Sequence, residues 1–365
     1  MLYHLWEIRK VVADVKKLSL VCIICSFTYI TCSCSSSSKD VVWNPPPWYI
    51  PYIHADEMWK IFNKLERDSV TVAIIDSGID ITHNDLTNAI WLNDKETPND
   101  LIDNDNNGYI DDINGWNFVD NSNEIYNTEL EQEDTHGTMC AGIVLETCNK
   151  ICDKRSTCRE KLKIMTIKVL KSRDDENIGS IDNLVKAIKY AQDNGAKVCN
   201  LSLNTDKDLI ELRSIIKQSS MLFVVSAGNN SPIGLNIDKA KTYPACYNYD
   251  NVITVSNADI NGDLEAHSNY GIQTIDIAAP GTNIFSTSIK SKYDFATGTS
   301  MATPVVTGVA AEIYMCFPNI QASDVKRAIC NSAFTSDRLK DYIGNEKGIV
   351  NGKNALLYCD NLFNK

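Results

Sequence analysis

Short apolar runs alternate with amphipathic segments along most of the chain. Runs of about four to eight residues, rich in β-branched side chains, are typical of strands buried on both faces of a parallel sheet. On this criterion we predict strands at residues 70–75, 163–170, 198–203, 221–225, 252–255 and 274–278.

Helices are predicted between these runs, where apolar residues recur at helical spacing. Residues 181–193 place their apolar side chains on one helical face, and Gly195 follows as a stop signal. A shorter helix is predicted at 209–218. The segment 301–317 is almost entirely apolar and predicts a long buried helix, in which Gly308 allows close packing. Pro304 is expected in the first turn of this helix, where its missing N–H costs little.

This alternation predicts an α/β fold of three layers, in which a mostly parallel β-sheet is flanked by helices. The chain shows no repeat and no clean break between residues 50 and 345. We therefore predict one catalytic-sized domain at 50–355. In such sheets the functional groups gather at the carboxyl ends of the strands.

The N-terminal segment combines a basic flank with an apolar run at 18–32. This pattern fits a secretory signal, and the run is shorter than the ~20 apolar residues that a membrane-spanning helix needs. The alternative is a signal anchor that is never cleaved. We predict a signal peptide or signal anchor at 1–34, a linker at 35–49, and a location in the secretory pathway, secreted or in a secretory organelle.

The net charge of −12 limits the partners of the protein. Binding to nucleic acid or general adhesion to anionic lipid needs a basic surface, so neither is expected. A secretory location permits disulfides. Among the 13 cysteines, Cys148, Cys152 and Cys158 share one basic loop and are the best candidates for a disulfide. Cys140 and Cys199 lie in apolar stretches and are predicted to be buried thiols.

Three short segments carry the residue types of nucleophilic catalysis. Asp76 ends the first predicted strand, His136 lies in Thr-His-Gly-Thr, and Ser300 lies in Gly-Thr-Ser-Met at the start of the long helix. Taken singly, each has a plain structural alternative: a turn, a capping or core histidine, and a helix cap. Together they supply a weak nucleophile, its base and the carboxylate that orients the base.

The three segments Asp-Ser-Gly-Ile-Asp, Thr-His-Gly-Thr and Gly-Thr-Ser-Met-Ala-Thr-Pro resemble the signature blocks of the subtilisin-like serine proteases. The resemblance covers roughly residues 50–355. It implies a serine endopeptidase in which Asp76 orients His136, His136 acts as general base and then acid, and Ser300 is the nucleophile. It also implies that Asn229 donates to the oxyanion.

The resemblance further implies an extended peptide or protein substrate that pairs with strand edges of the protease. Asn204 stands where the family usually has glycine, and Thr242 falls at the pocket floor, where family members often have a small residue. We therefore expect a small or polar residue before the cleaved bond. The implied substrate-binding residues are Asn200, Leu201, Ser202, Leu203, Asn204, Ser226, Ala227, Gly228 and Thr242.

An acidic loop follows the aspartate segment and spaces oxygen donors around a glycine turn, a pattern that suits calcium. It resembles calcium-binding insertions in the subtilisin-like proteases of apicomplexan parasites. We expect a structural calcium ion and no catalytic cofactor; the alternative is a solvated acidic loop. The predicted ligands are Asp103, Asp105, Asn107, Tyr109 and Asp111.

Proteases of this kind are normally made with a propeptide that assists folding and blocks the site. The interval between Cys34 and Asn44 offers no room for one. Three alternatives follow: a propeptide or inhibitor acts in trans, the chain folds unaided, or the sequence is incomplete. The same observation supports an alternative function, a catalytically silent scaffold of this fold that binds peptides or a protease partner.

Overall fold

The computed structural model describes residues 47–62, 65, 67–127, 133–148, 161–173 and 176–363. The chain divides into two units, and the second, Trp43–Lys365, contains every described residue. The predicted signal segment at 1–34 and most of the predicted linker at 35–49 lie outside the described residues. Within the described ranges, the helices are all too short or too polar to cross a membrane.

The core of the second unit is one twisted sheet of nine described strands in the order β12-β13-β9-β8-β7-β6-β1-β3-β2. All neighbouring pairs in it are parallel except β12 and β13. Two short hairpins, β4–β5 and β10–β11, lie outside the sheet. The strands are β1 Val70–Asp76, β2 Gly115–Asn117, β3 Leu162–Lys168, β4 Leu170–Arg173, β5 Glu176–Gly179, β6 Val198–Leu201, β7 Leu222–Ser226, β8 Val252–Ala258, β9 Ile277–Pro280, β10 Ile284–Ser288, β11 Lys292–Ala296, β12 Phe334–Thr335 and β13 Gly348–Ile349.

Helices cover both faces of this sheet, and each face has its own apolar core. In β1 the side chains alternate between the two, since Val72 and Ile74 enter one core while Ala73 and Ile75 enter the other. This double burial explains the continuous apolar run and confirms the predicted three-layer α/β fold. The helices are α1 Tyr49–Tyr52, α2 Ala55–Phe62, α3 Thr135–Thr147, α4 Ile181–Asp193, α5 Ile210–Gln218, α6 Thr299–Cys316, α7 Ala322–Asn331, α8 Lys340–Ile343 and α9 Gly352–Phe363.

The predicted elements are present with shifted ends, and one shift matters for the site. The long helix predicted at 301–317 begins at Thr299, so Ser300 lies inside its first turn. Pro304 was expected in that first turn, but it is the sixth residue of α6. A proline at this depth leaves one carbonyl of the preceding turn without its helical partner.

Close approach of α3 to its neighbours depends on two glycines. A Cβ on Gly137 would lie 2.2 Å from the carbonyl oxygen of Gly78, just beyond the end of β1. A Cβ on Gly308 would lie 2.5 Å from the Cβ of Thr147, so the predicted close packing at Gly308 is confirmed. The absence of side chains at these positions brings α3 against both β1 and α6.

Candidate active site

Asp76, at the carboxyl end of β1, is fully buried beneath the first turn of α3. Its Oδ1 lies 2.8 Å from Nδ1 of His136 and also accepts the backbone N–H of Ser77 at 2.7 Å. An ionised carboxylate only accepts hydrogen bonds, so the proton of a neutral His136 ring lies on Nδ1. Nε2 is then the basic atom of the imidazole.

The pKa of His136 is raised above its ordinary value of 6.5. Burial is the largest single influence and disfavours the imidazolium, but the charge of Asp76 and the hydrogen bond to it together outweigh burial. The imidazole side chain keeps 29% of its surface exposed. The ring is therefore a reachable proton acceptor whose protonated form is stabilised by Asp76.

Ser300 is tied to the segment that follows β6. Pro304 has no N–H to offer the carbonyl of Ser300 four residues earlier. The hydroxyl of Ser202 donates to that carbonyl at 2.9 Å, and the hydroxyl of Ser300 donates back to the carbonyl of Ser202 at 3.3 Å. In this structure the Ser300 hydroxyl thus donates its hydrogen bond to Ser202.

Cys140, one helical turn after His136, links the three predicted catalytic segments. Its Sγ lies 3.9 Å from Oδ2 of Asp76 and 3.6 Å from the carbonyl oxygen of Ser300. Asp76, His136 and Cys140 hold potential metal-binding atoms within 4.8 Å of one another. However, burial and the charge of Asp76 raise the pKa of the Cys140 thiol well above its usual range. A protonated sulfur is a poor metal ligand, and the prediction of a buried thiol is confirmed.

Asn229 follows the end of β7 and faces the start of α6. Its Oδ1 accepts the backbone N–H of Thr299 at 2.9 Å, which fixes the orientation of the amide. Nδ2 therefore remains as a donor beside the helix start. The N–H groups of a first helical turn lack helical partners, so Asn229 and the backbone of Ser300 can present two donors to one anion.

The predicted substrate-binding residues differ in burial: Leu203, Asn204 and Thr242 are at least partly exposed, and the other six are buried. Asn200 and Leu201 are fully buried, and the amide of Asn200 is occupied by Ser202 Oγ at 3.1 Å and Thr307 Oγ1 at 2.8 Å. The amide of Asn200 therefore ties this segment to α6 through Thr307, and a role of these two residues in substrate binding stays a prediction. The residues that flank the gap between the strand ends are Ser202, Leu203, Asn204, Ser226, Ala227, Gly228 and Thr242.

A cleft of about 520 Å³ opens on the other side of His136, toward Met301. Its far wall is the β10–β11 hairpin, with Lys292 and Asp294 exposed at the rim. The near wall includes Glu133, which pairs with the buried Lys168 at 2.8 Å. The sequence gives no local signal for this cleft, because the hairpin lies some 150 residues from the histidine segment.

The acidic loop gathers a carboxylate cluster that differs from the predicted ligand set. Glu96, Asp105 and Asp112 hold oxygens within 4.8 Å of one another. Asp103 and Asp111 instead accept loop backbone N–H groups at 2.8–3.3 Å. Of the five predicted ligands only Asp105 belongs to the cluster.

The ring of Tyr109 and the amide of Asn107 also have structural partners. Tyr109 packs against Trp116, Phe118 and Tyr190, and the Asn107 amide donates to Asp112 Oδ2 at 3.0 Å. Both residues therefore brace the loop around the carboxylate cluster.

The predicted disulfide lies mostly outside the described residues, which exclude Cys152 and Cys158. Cys148 is buried, and its Sγ lies 3.1 Å from the carbonyl oxygen of Gly308. Cys199 is a buried thiol, as predicted, and burial raises its pKa.

A serine, a histidine held by a buried carboxylate and an amide donor, gathered at the strand ends of an α/β sheet, define a serine hydrolase type of site. The sequence profile of the subtilase family matches residues 67–355. The chain belongs to the subtilase family, which confirms the resemblance found in its motifs.

The curated relatives that it resembles are proteases. Subtilisin-like protease 1 of Plasmodium berghei (strain Anka) is 30% identical over 330 residues, covering 85% of this chain and 54% of that protein. Thermitase of Thermoactinomyces vulgaris is 31% identical over 309 residues, covering 84% of this chain and 94% of that protein. The chain thus spans about half the length of the Plasmodium relative and nearly all of thermitase. These relatives support a serine protease.

Solved structures agree on the fold. A chain from the assembly of the subtilase cytotoxin SubAB aligns with a TM-score of 0.65 at 22% identity, over 86% of this chain and 97% of that chain. A cold-adapted subtilisin-like serine proteinase aligns with a TM-score of 0.58 at 22% identity, over 77% of this chain and 88% of that one.

Proposed function

We propose that this protein is a serine endopeptidase that cleaves internal peptide bonds through Asp76, His136 and Ser300. The observation that carries the proposal is the 2.8 Å contact between His136 Nδ1 and the buried carboxylate of Asp76, next to the helix start that bears Ser300. This contact orients the imidazole, stabilises its protonated form and leaves Nε2 basic.

The proposed reaction begins when the Ser300 hydroxyl turns from the Ser202 carbonyl toward Nε2 of His136. The imidazole takes the proton as the oxygen attacks the peptide carbonyl carbon, and Asn229 with the Ser300 N–H stabilises the oxyanion. The imidazolium then gives its proton to the departing amine, leaving an acyl-enzyme. Water repeats the sequence and releases the new carboxyl terminus.

A fluorophosphonate probe tests the proposal, because it reacts only with a serine whose neighbouring base is working. We expect the full chain to be labelled at Ser300, read by mass spectrometry of the peptide that contains it, and to cleave a peptide blocked at both termini. A folded, monodisperse protein that resists the probe would overturn the enzymatic proposal.

One observation favours the second candidate, a silent scaffold that binds peptides or a protease partner. The Ser300 hydroxyl is engaged by the carbonyl of Ser202 at 3.3 Å. A scaffold of this kind would bind an extended peptide and leave it uncut, so peptide binding without probe labelling separates it from the endopeptidase.

Asn229→Ala is expected to lower kcat by about 100- to 1,000-fold with little change in KM, because the amide acts on charge that develops in the transition state. Steady-state kinetics with a fluorogenic peptide measures the effect. The neighbouring Asn230→Ala is the matched control and keeps the wild-type rate. A kcat of Asn229→Ala within threefold of wild type would rule out the assigned donor.

We further propose that Glu96, Asp105 and Asp112 hold a structural calcium ion. Asp112 is fully buried, and burial raises the pKa of its carboxyl. The groups that donate to the cluster are neutral: backbone N–H groups, the amides of Asn93 and Asn107, and the Tyr190 hydroxyl. Three oxygen anions this close repel one another, and a hard divalent cation offsets the repulsion.

The protein is expected to melt at a higher temperature in the presence of calcium than in the presence of a chelator. When calcium is at 100 times its dissociation constant, the free energy of unfolding should rise by about 2.7 kcal/mol. Asp112→Asn removes the shift. Asp103→Asn, whose carboxylate lies outside the cluster, retains it. Differential scanning calorimetry of the three proteins gives the answer, and an unchanged wild-type melt in calcium would refute the site.

The secretory location and a partner that acts in trans are also proposed. The basic flank and apolar run before residue 34 support the location. Expression of the full chain in eukaryotic cells, followed by N-terminal sequencing of secreted and membrane fractions, distinguishes a cleaved signal from an anchor.

A further inference from the structure

A side-chain hydrogen bond spans the gap between the ends of two neighbouring strands. β6 and β7 run parallel, with Leu201 paired to Val225 at their carboxyl ends. Beyond this pair, the amide Nδ2 of Asn204 donates to the hydroxyl of Ser226 at 2.8 Å. We call this contact the Asn204–Ser226 bridge. It joins the two segments that flank the gap.

The gap lies beside the proposed nucleophile. Its first wall includes Ser202, whose carbonyl contacts the Ser300 hydroxyl at 3.3 Å. Its second wall leads directly from Ser226 to Asn229, the proposed oxyanion donor. A peptide whose carbonyl lies between Ser300 and Asn229 therefore directs the side chain that precedes the cleaved bond toward this gap.

Both walls are held by further hydrogen bonds. Thr205, next to Asn204, exchanges two backbone hydrogen bonds of 2.8 Å with Tyr243. On the other wall, Asn269 donates its amide to the Ala227 carbonyl and its backbone N–H to the Gly228 carbonyl, both at 3.0 Å. These contacts hold each wall against a neighbouring segment of the protein, so moving either wall requires breaking them.

The bridge also occupies the space over Gly228. This glycine has a φ of +91°, and a Cβ built on it would lie 3.5 Å from Nδ2 of Asn204. The Asn204 amide thus lies about one methyl group away from the backbone of Gly228. A bulky side chain entering the gap meets the amide before it reaches the interior.

We infer that the Asn204–Ser226 bridge restricts this protease to peptides with a small residue, glycine, alanine or serine, before the cleaved bond. The inference rests on the proposed proteolytic function and names its substrate class. Asn204 and Ser226 act as specificity-determining residues, since a large side chain must displace the amide and leave the Ser226 hydroxyl without its donor. One methylene group alone alters pocket discrimination by about 10- to 200-fold.

Peptidyl diphenyl phosphonates that differ only in the residue before the phosphorus test the inference, since they label the nucleophile without requiring turnover. For wild type we expect the alanine analogue to label Ser300 at least about 100 times faster than the phenylalanine analogue. Asn204→Gly is expected to reduce this ratio by about tenfold or more. Ser226→Ala frees the amide to rotate and gives a smaller reduction. The ratio cancels any uniform loss of active protein.

Asn261→Gly, the same substitution in an exposed turn, is the matched control and leaves the ratio unchanged. A wild-type ratio near one, or the same ratio in wild type, Asn204→Gly and Ser226→Ala, would overturn the inference while leaving the protease assignment intact. Failure of a non-peptidic fluorophosphonate to label folded wild type would instead remove the proposed function, and the inference with it. If Asn204→Gly does not fold, the result for Ser226→Ala decides.

Discussion

Ser300→Ala is expected to lower kcat by about a millionfold, close to the loss that follows removal of an entire catalytic triad of this type. The substitution removes the hydroxyl that we propose forms the acyl-enzyme, while the helix start, Asn229 and His136 remain. The remaining rate would come from binding and from the oxyanion donors.

The measurement is single-turnover cleavage of a fluorogenic peptide, with enzyme in excess so that slow rates are visible. Circular dichroism and the melting temperature show whether the variant has folded. Ser332→Ala, at the end of α7, deletes one hydroxyl far from the cleft and keeps the wild-type rate. A Ser300→Ala protein that is folded and within tenfold of wild type would place the chemistry elsewhere.

Asp76→Asn is expected to lower kcat by about ten-thousandfold, because an amide at this position favours the wrong tautomer of His136. Asp76 is fully buried, so little rearrangement can restore the lost contact. Unlike the Ser300 variant, this protein keeps its nucleophile. It should therefore remain labelled by a fluorophosphonate, at a strongly reduced rate.

The same variant has a signature in its pH profile. In wild type, kcat/KM rises with pH as His136 loses its proton, and the raised pKa puts the midpoint of this acid limb above 6.5. Replacement of Asp76 removes the charge and the hydrogen bond that raise the pKa, and burial, which lowers it, remains. The limb therefore moves to lower pH.

Asp193→Asn, an exposed change of the same chemistry at the end of α4, is the control and leaves the limb in place. An acid limb of Asp76→Asn at or above the wild-type position would contradict the assigned pairing. The raised pKa of His136 also predicts how the free energy of unfolding depends on pH. The stabilising contribution of the His136–Asp76 pair is fully present below pH ~6.5 and is lost as pH rises through the raised pKa of folded His136.

The fold and the pairing of Asp76 with His136 could be predicted because their signals are local. The strand β1 can be recognised from its almost continuous run of apolar residues, which burial on both faces of the sheet requires. Asp76 and Ser300 lie at element boundaries that sequence patterns mark, and the histidine motif stands out in a chain with only five histidines. The contact between Asp76 and His136 follows from the packing of the first turn of α3 against the carboxyl end of β1.

Features that depend on long-range contacts could not be predicted. The carboxylate cluster joins Glu96 and Asp112 across a folded loop, and no spacing in the acidic motif identifies Glu96. The burial of individual members of the substrate segment could not be predicted either. The amide of Asn200, for example, accepts the hydroxyl of Thr307, more than one hundred residues later.

The prediction that Pro304 lies in the first turn of the long helix was wrong. Proline near a helix start is typical of the first turn, and the sequence offers no signal against that position. In the structure it stands deeper, and its effect is on the carbonyl of Ser300, which accepts the hydroxyl of Ser202 at 2.9 Å. A residue that breaks a helical hydrogen bond thus ties the helix start to the neighbouring segment.

The mutual packing of α3 and α6 through Gly308 and Thr147 has a consequence for thermal inactivation. The imidazole of His136 belongs to α3 and the hydroxyl of Ser300 belongs to α6. Both helices lie in the interior, and sixteen of the eighteen residues of α6 are buried. Local unfolding that destroys the active site is therefore expected to unfold the core of the fold as well. Residual cleavage after a heat pulse should track the surviving native population, and the slowest-exchanging amide protons should lie in the same two helices.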